Sequence, residues 1–524
     1  MKDEIALINT KVVSLKGKSY SGEAMLIRGN RIVCVGSSSQ VYSSMGTGCE
    51  VLDMDQNIVY PGFVDAHCHV KGVGQAQEIM RLDDVTSLEE GVALVKNQAK
   101  LQDKGSWVLG RNWDQERWDI SDMPDKMLLD SEVKYNPVWL TRVDAHAGLA
   151  NSMAIDIAKT LNYSNFDSVR AKVSQQSLST GLFVDEEMEF IRNALPPQSV
   201  QDVKRMILTS QDLLLRSGLT EVHDAGIGPV EYEAYLELAR ENKLKIRIYA
   251  MQNRNFVENY GIKKIEVGLF TSSSIKVIYD GALGSRGASL LSEYQDDPGN
   301  FGTTLHADEE LLQIMHNALQ ASAQINIHAI GDGANRKVLD TLELALEGKE
   351  LLDHRTRVEH AQHVQKDDVE RFQKLKVIAS VQPMHYKADI SMAKKRLGSK
   401  RLHNSYLWKT FIEHGVRLIY GSDSPVVTFD PILGIESALL REGLGEEDAL
   451  YARERLTASE CLRAMTLDAA YSRFGEGDKG EISPGMLADL TILDRDIRLS
   501  ESLTVAESEV VGTIVDGKLV YLRQ

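Results

Sequence analysis

The middle of the chain alternates short apolar runs with longer stretches whose apolar residues recur at helical spacing. This alternation is typical of β-strands that are each followed by a helix. Eight strands are predicted, at 62–66, 219–223, 245–250, 274–280, 324–329, 357–359, 377–382 and 417–420. Eight strands that alternate with helices predict an α/β fold, the (β/α)8 or TIM barrel.

Both ends of the chain follow a different pattern, rich in strand-forming residues. Runs of Val, Ile and Leu occur at 5–15, 23–35, 50–59, 489–493 and 510–515. Gly29-Asn30 and Asp516-Gly517 are typical hairpin turns. Each end alone has too few strands for a stable core, so we predict that residues 1–59 and 478–524 pair into one small β-sandwich.

One long segment interrupts the alternation between the first and second predicted barrel strands. It spans about 150 residues, too many for a structureless loop. We therefore predict an inserted subdomain at about 75–217, within a barrel domain of residues 60–477. Four of the five tryptophans lie in it: Trp107, Trp113, Trp118 and Trp139. They can fill the core of the insert, or some of them can form an apolar wall over the barrel mouth.

Composition argues against a nucleic-acid-binding, a secreted or a membrane protein. The net charge of −17 argues against a nucleic-acid partner, which requires a basic surface. The amino terminus does not resemble a signal peptide, and no apolar run is long enough for a transmembrane helix. The four cysteines form no CxxC pair, which is consistent with a reducing cytoplasm. We expect a cytoplasmic protein with a small-molecule substrate and no membrane partner; a homo-oligomer is compatible with the sequence.

The segment Pro61-Gly62-Phe63-Val64-Asp65-Ala66-His67-Cys68-His69 contains the most informative chemistry. An apolar strand ends in two histidines two positions apart, so both imidazoles project from one face. Two such nitrogens can bind one metal ion. Cys68 faces the opposite way and is predicted to be a packed thiol. Taken alone, the pair is also compatible with two solvated loop histidines.

Other predicted strands also end in residues that can bind metal or transfer protons. In a (β/α)8 barrel the active site lies at the carboxyl ends of the strands. Residues of this kind within or directly after later strands are His223, Lys276, His328, His360 and Asp423. Because these strand ends meet at one mouth, their concentration there favours a metal site over scattered surface histidines.

These residues carry a resemblance to a known family. Together with Lys276, His328, His360 and Gly421-Ser422-Asp423, the segment 61–69 resembles the metal-dependent amidohydrolase superfamily. Four further segments resemble the branch that contains N-substituted formamide deformylase (amidohydrolase family 3): 112–115, 141–146, 280–286 and 357–362. The resemblance covers nearly the whole chain. It implies an enzyme in which a metal-bridged hydroxide cleaves an amide or formamide-like, non-peptide carbon–nitrogen bond.

The resemblance also implies a binuclear site with a defined ligand set. The implied ligands are His67, His69, Lys276, His328, His360 and Asp423. The first two would bind the more buried ion with Asp423, and His328 and His360 would bind the second. Lys276, carboxylated by CO2, would bridge the two ions; an uncarboxylated lysine in an ion pair is the alternative. Asp423 would be the catalytic proton-transfer residue. Zinc is expected, and manganese, iron, cobalt or nickel also suit these ligands.

Substrate contacts are less explicit. Trp113, Arg142, His146 and Arg286 match positions of the branch that face the substrate. The alternatives are a core tryptophan, structural ion pairs for the two arginines and a hydrogen-bonding loop histidine. His223 and His363 are predicted to support the site or the fold, while His385 either contacts substrate or lies on an exposed loop.

Two other functions stay open from the sequence. The first is a cyclic-amide hydrolase or a deaminase on the same barrel. A deaminase of the superfamily would carry His-x-x-Glu after the fifth strand, whereas this chain has His328-Ala329-Ile330-Gly331. The second is a catalytically inactive regulatory scaffold, which is expected to have lost metal ligands.

Overall fold

The computed structural model describes residues 4–15, 20–115, 118, 123–142, 147–161, 170–171, 173–349, 352–441, 452–499 and 502–523. The chain forms two compact units. One contains residues 1–74 and 200–524, and the other contains residues 75–199. The larger unit comprises a barrel and two sheets formed by the ends of the chain.

Eight parallel strands form a nearly closed barrel, which confirms the predicted TIM-type fold. In chain order they are Phe63–Cys68, Leu219–Ile227, Arg247–Gln252, Phe270–Ile278, Gln324–Ala329, Arg357–His360, Ile378–Val381 and Leu418–Tyr420. Each strand pairs in parallel with the next. The eighth returns to the first, where the Asp423 N–H donates to the His67 carbonyl at 2.6 Å. Gly421 allows this approach, because a Cβ there would lie 2.4 Å from the His67 Cβ.

Helices accompany the barrel strands. They are Val70–Glu78, Val200–Arg216, Pro229–Arg240, Arg254–Tyr260, Asp308–Gln320, Asp332–Ala345, Lys366–Lys374, Pro383–Leu397, Trp408–Glu413, Pro431–Leu440, Ala458–Ala464 and Leu467–Ser472. Thr457 and Glu460 form a capping box before Ala458–Ala464. The sequence predicts one helix from there to about residue 470, but the non-helical backbone of Thr466 divides it in two. Within the described ranges, no helix is both long and apolar enough to span a bilayer.

The two ends of the chain pair with each other, as predicted. A mixed sheet combines Lys11–Val13, Tyr20–Gly22 and Ile58–Pro61 with Leu490–Leu493, Val510–Val515 and Lys518–Leu522. A second sheet contains Glu4–Ile8, Ala24–Arg28, Arg31–Gly36 and Glu50–Asp53. Short helices occur at Ser38–Ser44 and Ser502–Val505. One apolar cluster takes residues from both sheets, among them Leu7, Ile27, Val59 and Ile492. The two predicted turns, at 29–30 and 516–517, join neighbouring strands.

The unit of residues 75–199 has a five-stranded sheet of its own. Its strands are Met80–Arg81, Val108–Trp113, Val138–Arg142, Ala147–Ala150 and Leu182–Val184. Its helices are Leu88–Lys100, Met127–Glu132, Ser152–Thr160, Gln175–Thr180 and Glu189–Arg192. Trp113 and Trp139 are buried in two apolar clusters, and Trp107 and Trp118 pack against them. The tryptophans therefore contribute to the core of this unit.

Candidate metal centre

His67, His69 and Asp423 meet where the first and eighth barrel strands end. Asp423 Oδ1 lies 3.4 Å from His67 Nε2 and 3.0 Å from His69 Nε2. His67 is buried, whereas 42% of the His69 side chain is exposed. Cys68 is buried, with its thiol directed at the carbonyl of Ser424. The three side chains form one group of candidate metal ligands.

Three further histidines adjoin this group. The ring centroids of His328 and His360 are 4.5 Å apart, and those of His360 and His67 are 4.9 Å apart. His385 stacks on His360 at 5.8 Å, and its Nε2 lies 3.5 Å from Asp423 Oδ2. His360, His385 and Asp423 form a second candidate group, in which the ligand atoms all lie within 4.8 Å of one another.

Lys276 reaches the same cluster from the fourth barrel strand. Its Nζ lies 3.3 Å from His67 Nε2, and the side chain is buried. Burial lowers the pKa of its ammonium to about 8, although Glu359 and Asp423 act in the opposite direction. A larger share of this lysine is therefore uncharged near neutral pH than for an exposed lysine.

Buried carboxylates contact the histidines from the interior of the protein. Glu359 Oε2 lies 2.5 Å from His67 Nδ1, and Asp65 Oδ1 accepts the backbone N–H of His67 at 3.1 Å. Asp280 Oδ1 lies 3.2 Å from His328 Nδ1. A carboxylate on one ring nitrogen orients an imidazole and leaves its other nitrogen for a metal.

The charges of the cluster suit a cation. Burial, reinforced by His328, holds the pKa of His360 well below its ordinary value, so the ring is neutral. Burial would raise the pKa of Asp423, but the adjacent imidazoles of His67 and His69 outweigh it and hold that pKa well below the ordinary value. Neutral imidazole and ionised carboxylate are the forms that bind divalent metals.

Unpaired polar atoms test whether a metal fits this site. Among the described residues, His360 Nδ1 and His385 Nε2 are buried without a hydrogen-bond partner. Leaving a buried polar atom unpaired costs about 1–3 kcal/mol. A metal ligand bond at such a nitrogen would remove that cost, and imidazoles with a carboxylate are a usual donor set for zinc and similar ions. The residues present therefore fit divalent metal ions.

Arg286 lies on the loop after the fourth barrel strand, with a left-handed backbone (φ 57°). Its guanidinium lies 3.1 Å from Asp296, which also pairs with Arg396. This contact corresponds to the structural ion pair that the sequence left open. Contact with substrate stays a prediction for Arg286.

The other predicted substrate contacts belong to residues 75–199. Trp113 is buried and donates its ring N–H to a backbone carbonyl at 2.9 Å. Arg142 Nε donates to Gln115 Oε1 at 2.8 Å. His146 lies outside the described residues. Substrate contact stays a prediction for all three.

Sequence reasoning left the place of His385 open, between a substrate contact and an exposed loop, and it did not find the role of Glu359. His385 is buried rather than on an exposed loop, because the helix Pro383–Leu397 begins directly after the seventh strand. The proline after Gln382 is the signal, since proline is favoured at the first helical position and so places residue 385 in the first turn. Glu359 lay within a recognised motif, but its contact with His67 joins residues 292 positions apart and has no local signal.

Comparison with known proteins agrees with this geometry. The amidohydrolase family model matches residues 50–521. Protein LONG AFTER FAR-RED 3 of Arabidopsis thaliana is 32% identical over 517 residues, covering 95% of this chain and 88% of that protein. N-substituted formamide deformylase of Arthrobacter pascens is 24% identical over 540 residues, covering 99% and 98%.

A solved structure of another protein has the same fold as this chain. The crystal structure of an uncharacterized metal-dependent hydrolase from Pyrococcus horikoshii has a TM-score of 0.82 at 27% identity, covering 95% of this chain and 99% of that chain. The family match extends over most of the chain, including the barrel strands that carry the histidine cluster. The motif resemblance is therefore confirmed, and the chain belongs to the amidohydrolase family of metal-dependent hydrolases.

Proposed function

We propose that this protein hydrolyses a carbon–nitrogen bond in a small, non-peptide amide or formamide. The observation that carries the proposal is the convergence of six side chains at the ends of five barrel strands: His67, His69, Lys276, His328, His360 and Asp423. The similarity to N-substituted formamide deformylase over nearly the full length supports this choice of bond.

Two divalent ions, proposed to be zinc, would bind in this cluster. His67, His69 and Asp423 would hold one ion, and His328 and His360 would hold the other. Bound ions of this kind lower the pKa of a water molecule toward neutrality and polarise a substrate carbonyl. Manganese, iron, cobalt and nickel are the other outcomes that metal analysis can return.

Lys276 is proposed to bridge the ions as a carbamate. The neutral amine adds to CO2, forming an N–C bond and releasing one proton, and the product is an anion with two oxygens. An ammonium group at this position would instead repel the metal ions. The burial of Lys276 and its pKa of about 8 favour the neutral amine that this reaction requires.

Asp423 is proposed to transfer the proton. It is ionised and lies beside His67 and His69 on one side and His385 on the other. A carboxylate in this position can accept a proton from the attacking water and deliver it to the leaving amine. That transfer completes the hydrolysis, because an amine leaves far more readily once it is protonated.

Exposed apolar residues close to the cluster support an apolar substituent on the substrate. Ile278 follows Lys276 by two positions on the fourth strand, so both side chains project from the same face. Ile278 is 51% exposed, and Val426, three residues after Asp423, is 68% exposed. Apolar surface beside a few polar groups is typical of small-molecule sites. N-aryl or N-alkyl amides and formamides are therefore the proposed substrates.

Turnover of a compound panel by the metal-loaded protein tests this function. The panel contains N-aryl and N-alkyl formamides, the matching acetamides, cyclic amides, carbamates and a dipeptide. We expect release of the free amine from the open-chain formamides or amides, measured with an amine-reactive dye. Metal-free protein is the control and should be inactive. Hydrolysis of a cyclic amide, without amine release from any open-chain formamide or acetamide, would contradict the proposal.

A further inference from the structure

The barrel interior contains charged residues where aliphatic side chains are usual. The interior of a (β/α)8 barrel is typically filled by layers of Val, Ile and Leu. Here the second and sixth strands contribute Glu221, His223, Arg357 and Glu359, each at most 1% exposed. We call these four residues the interior series. It ends at His67 of the candidate metal centre.

Each member of the interior series contacts the next. Glu221 Oε1 lies 3.0 Å from His223 Nε2, and Arg357 Nη1 lies 2.9 Å from His223 Nδ1. Arg357 Nε forms an ion pair with Glu359 Oε1 at 2.8 Å. Glu359 Oε2 lies 2.5 Å from His67 Nδ1. The contacts therefore run without a break from Glu221 to His67.

The chemistry of arginine determines which atom donates in each contact. A guanidinium can only donate, so Nδ1 of His223 accepts from Arg357 and its Nε2–H donates to Glu221. Burial lowers the pKa of His223 to about 4, which keeps this ring neutral. Glu359 Oε1 is paired with the Arg357 guanidinium, and its Oε2 is a carboxylate oxygen that accepts, so His67 donates through Nδ1. The Nε2 lone pair of His67 is then available to a metal.

Two cationic side chains pair with Glu221, at the end of the interior series opposite His67. Glu221 pairs with Arg473 at 2.6 Å and also with Lys479. Both residues follow the helix Leu467–Ser472, on the segment that leads to the carboxyl-terminal strands. Burial would raise the pKa of Glu221, but Arg473 and Lys479 hold it well below the ordinary value. Cations and carboxylates therefore alternate from this segment to His67, with the neutral ring of His223 between Glu221 and Arg357.

We propose that Arg357 is a positioning residue for the metal centre. Through Glu359 it sets the orientation and the tautomer of His67, and the rest of the interior series orients Arg357 in turn. Arg357 also donates through Nη2 to the backbone carbonyl of Ala66, the residue before His67. One guanidinium therefore positions the backbone next to His67 directly and the ring of His67 through Glu359. This role rests on the proposed function, because it presupposes that His67 is a metal ligand.

Zinc affinity of the metal-free protein, measured by competition with a chromophoric chelator, tests the role of Arg357. Loss of a group that orients a metal-binding histidine costs about 10–100-fold in metal affinity. We expect a loss of that size in Arg357→Met and a smaller one in Arg357→Lys, which keeps the charge but not the forked geometry. Arg498→Met is the matched control, since Arg498 is buried and pairs with Asp496 at 2.7 Å near the chain ends. It should reduce thermal stability but leave zinc affinity within about twofold.

Circular dichroism of the metal-free variants shows whether they fold. If Arg357→Met does not fold, the zinc affinity of Glu359→Gln tests the role of Arg357 instead. This variant keeps the shape of the side chain through which Arg357 acts on His67, and it removes the charge. We expect it to weaken zinc binding about tenfold. Zinc affinity equal to that of the parent protein, in either folded variant, would overturn the role of Arg357. A parent protein that binds no metal would instead refute the proposed function and this role with it.

The tautomer of His223 gives a readout that does not depend on bound metal. Nitrogen-15 NMR of histidine-labelled, metal-free protein, with the His223 signals assigned by a His223→Gln spectrum, should show the proton on Nε2. A proton on Nδ1 would mean that Arg357 does not donate to this ring, and the inferred series would be wrong.

Discussion

Asp423 combines the properties that a proton-transfer residue at a metal site needs. It is buried and ionised, and its two carboxylate oxygens face different histidines, with His67 and His69 on one side and His385 on the other. Its backbone is left-handed (φ 61°), a conformation that Asp adopts more readily than most residues. This turn, directly after the eighth strand, directs the side chain into the cluster.

Replacing Asp423 with Asn should affect turnover far more than substrate binding. The amide cannot accept and deliver the proton, and general acid–base catalysis contributes about 10²–10⁴-fold. We expect kcat to fall by about that factor while KM changes little, as measured by steady-state kinetics with metal content determined in parallel. Asp496→Asn, in the paired ends of the chain, should leave kcat unchanged. A kcat for Asp423→Asn within about threefold of the parent would show that Asp423 is not the proton-transfer residue.

At the level of elements, hydrogen bonds tie the first strands of the chain to its last ones. Asp496 accepts from the hydroxyls of Tyr20 at 2.6 Å and Tyr60 at 3.0 Å, and it pairs with Arg498 at 2.7 Å. Burial would raise the pKa of Asp496, but Arg498 and Tyr20 outweigh it and lower that pKa below its ordinary value. The ionised form of Asp496 therefore stabilises the pairing of the two chain ends.

Asp496→Asn should reduce stability in a pH-dependent way. A carboxylate whose pKa is lowered on folding stabilises the protein above its ordinary pKa of about 4, and this contribution is lost as the pH falls through the lower folded value. At pH 7 we expect the free energy of unfolding to drop by about 2 kcal/mol. The difference from the parent, measured as the urea midpoint, should shrink as the pH is lowered toward 3. A difference that does not vary with pH would contradict this explanation.

At the level of the whole molecule, metal binding and barrel closure are expected to depend on each other. The proposed ligands come from five strands, including the first and the eighth, which close the barrel. A metal that binds only the folded protein stabilises it by about 2.7 kcal/mol at a free concentration 100 times its Kd. Removing the metal should therefore lower the melting temperature, and adding it back should restore it.

Metal content also separates the enzyme from the scaffold alternative. We expect close to two divalent ions per chain in protein expressed with added metal, and a fall of several degrees in melting temperature after chelation, by mass spectrometry and calorimetry respectively. Less than about one ion per chain, together with a melting temperature that chelator does not change, would favour a regulatory scaffold.

Features that depend only on residues close together in the sequence could be predicted without the structure. The eight strands follow from local periodicity, the hairpin at Gly29-Asn30 from turn chemistry, and the shared face of His67 and His69 from the two-residue repeat of a strand. The break at Thr466 was not predictable in this way. Its sequence allows a helix, and the packed fold gives that residue a different backbone.

The sequence by itself determined the barrel, the pairing of the two chain ends, and which residues lie at the carboxyl ends of the barrel strands. Only the tertiary structure decided which buried side chains contact those residues from the barrel interior. Glu359 contacts His67 across 292 positions, and Arg357 contacts His223 across 134. Periodicity tells which face of a strand a side chain occupies, but it does not tell which residue it meets across the barrel. That depends on how the strands are arranged around the closed sheet, which is a property of the folded chain alone.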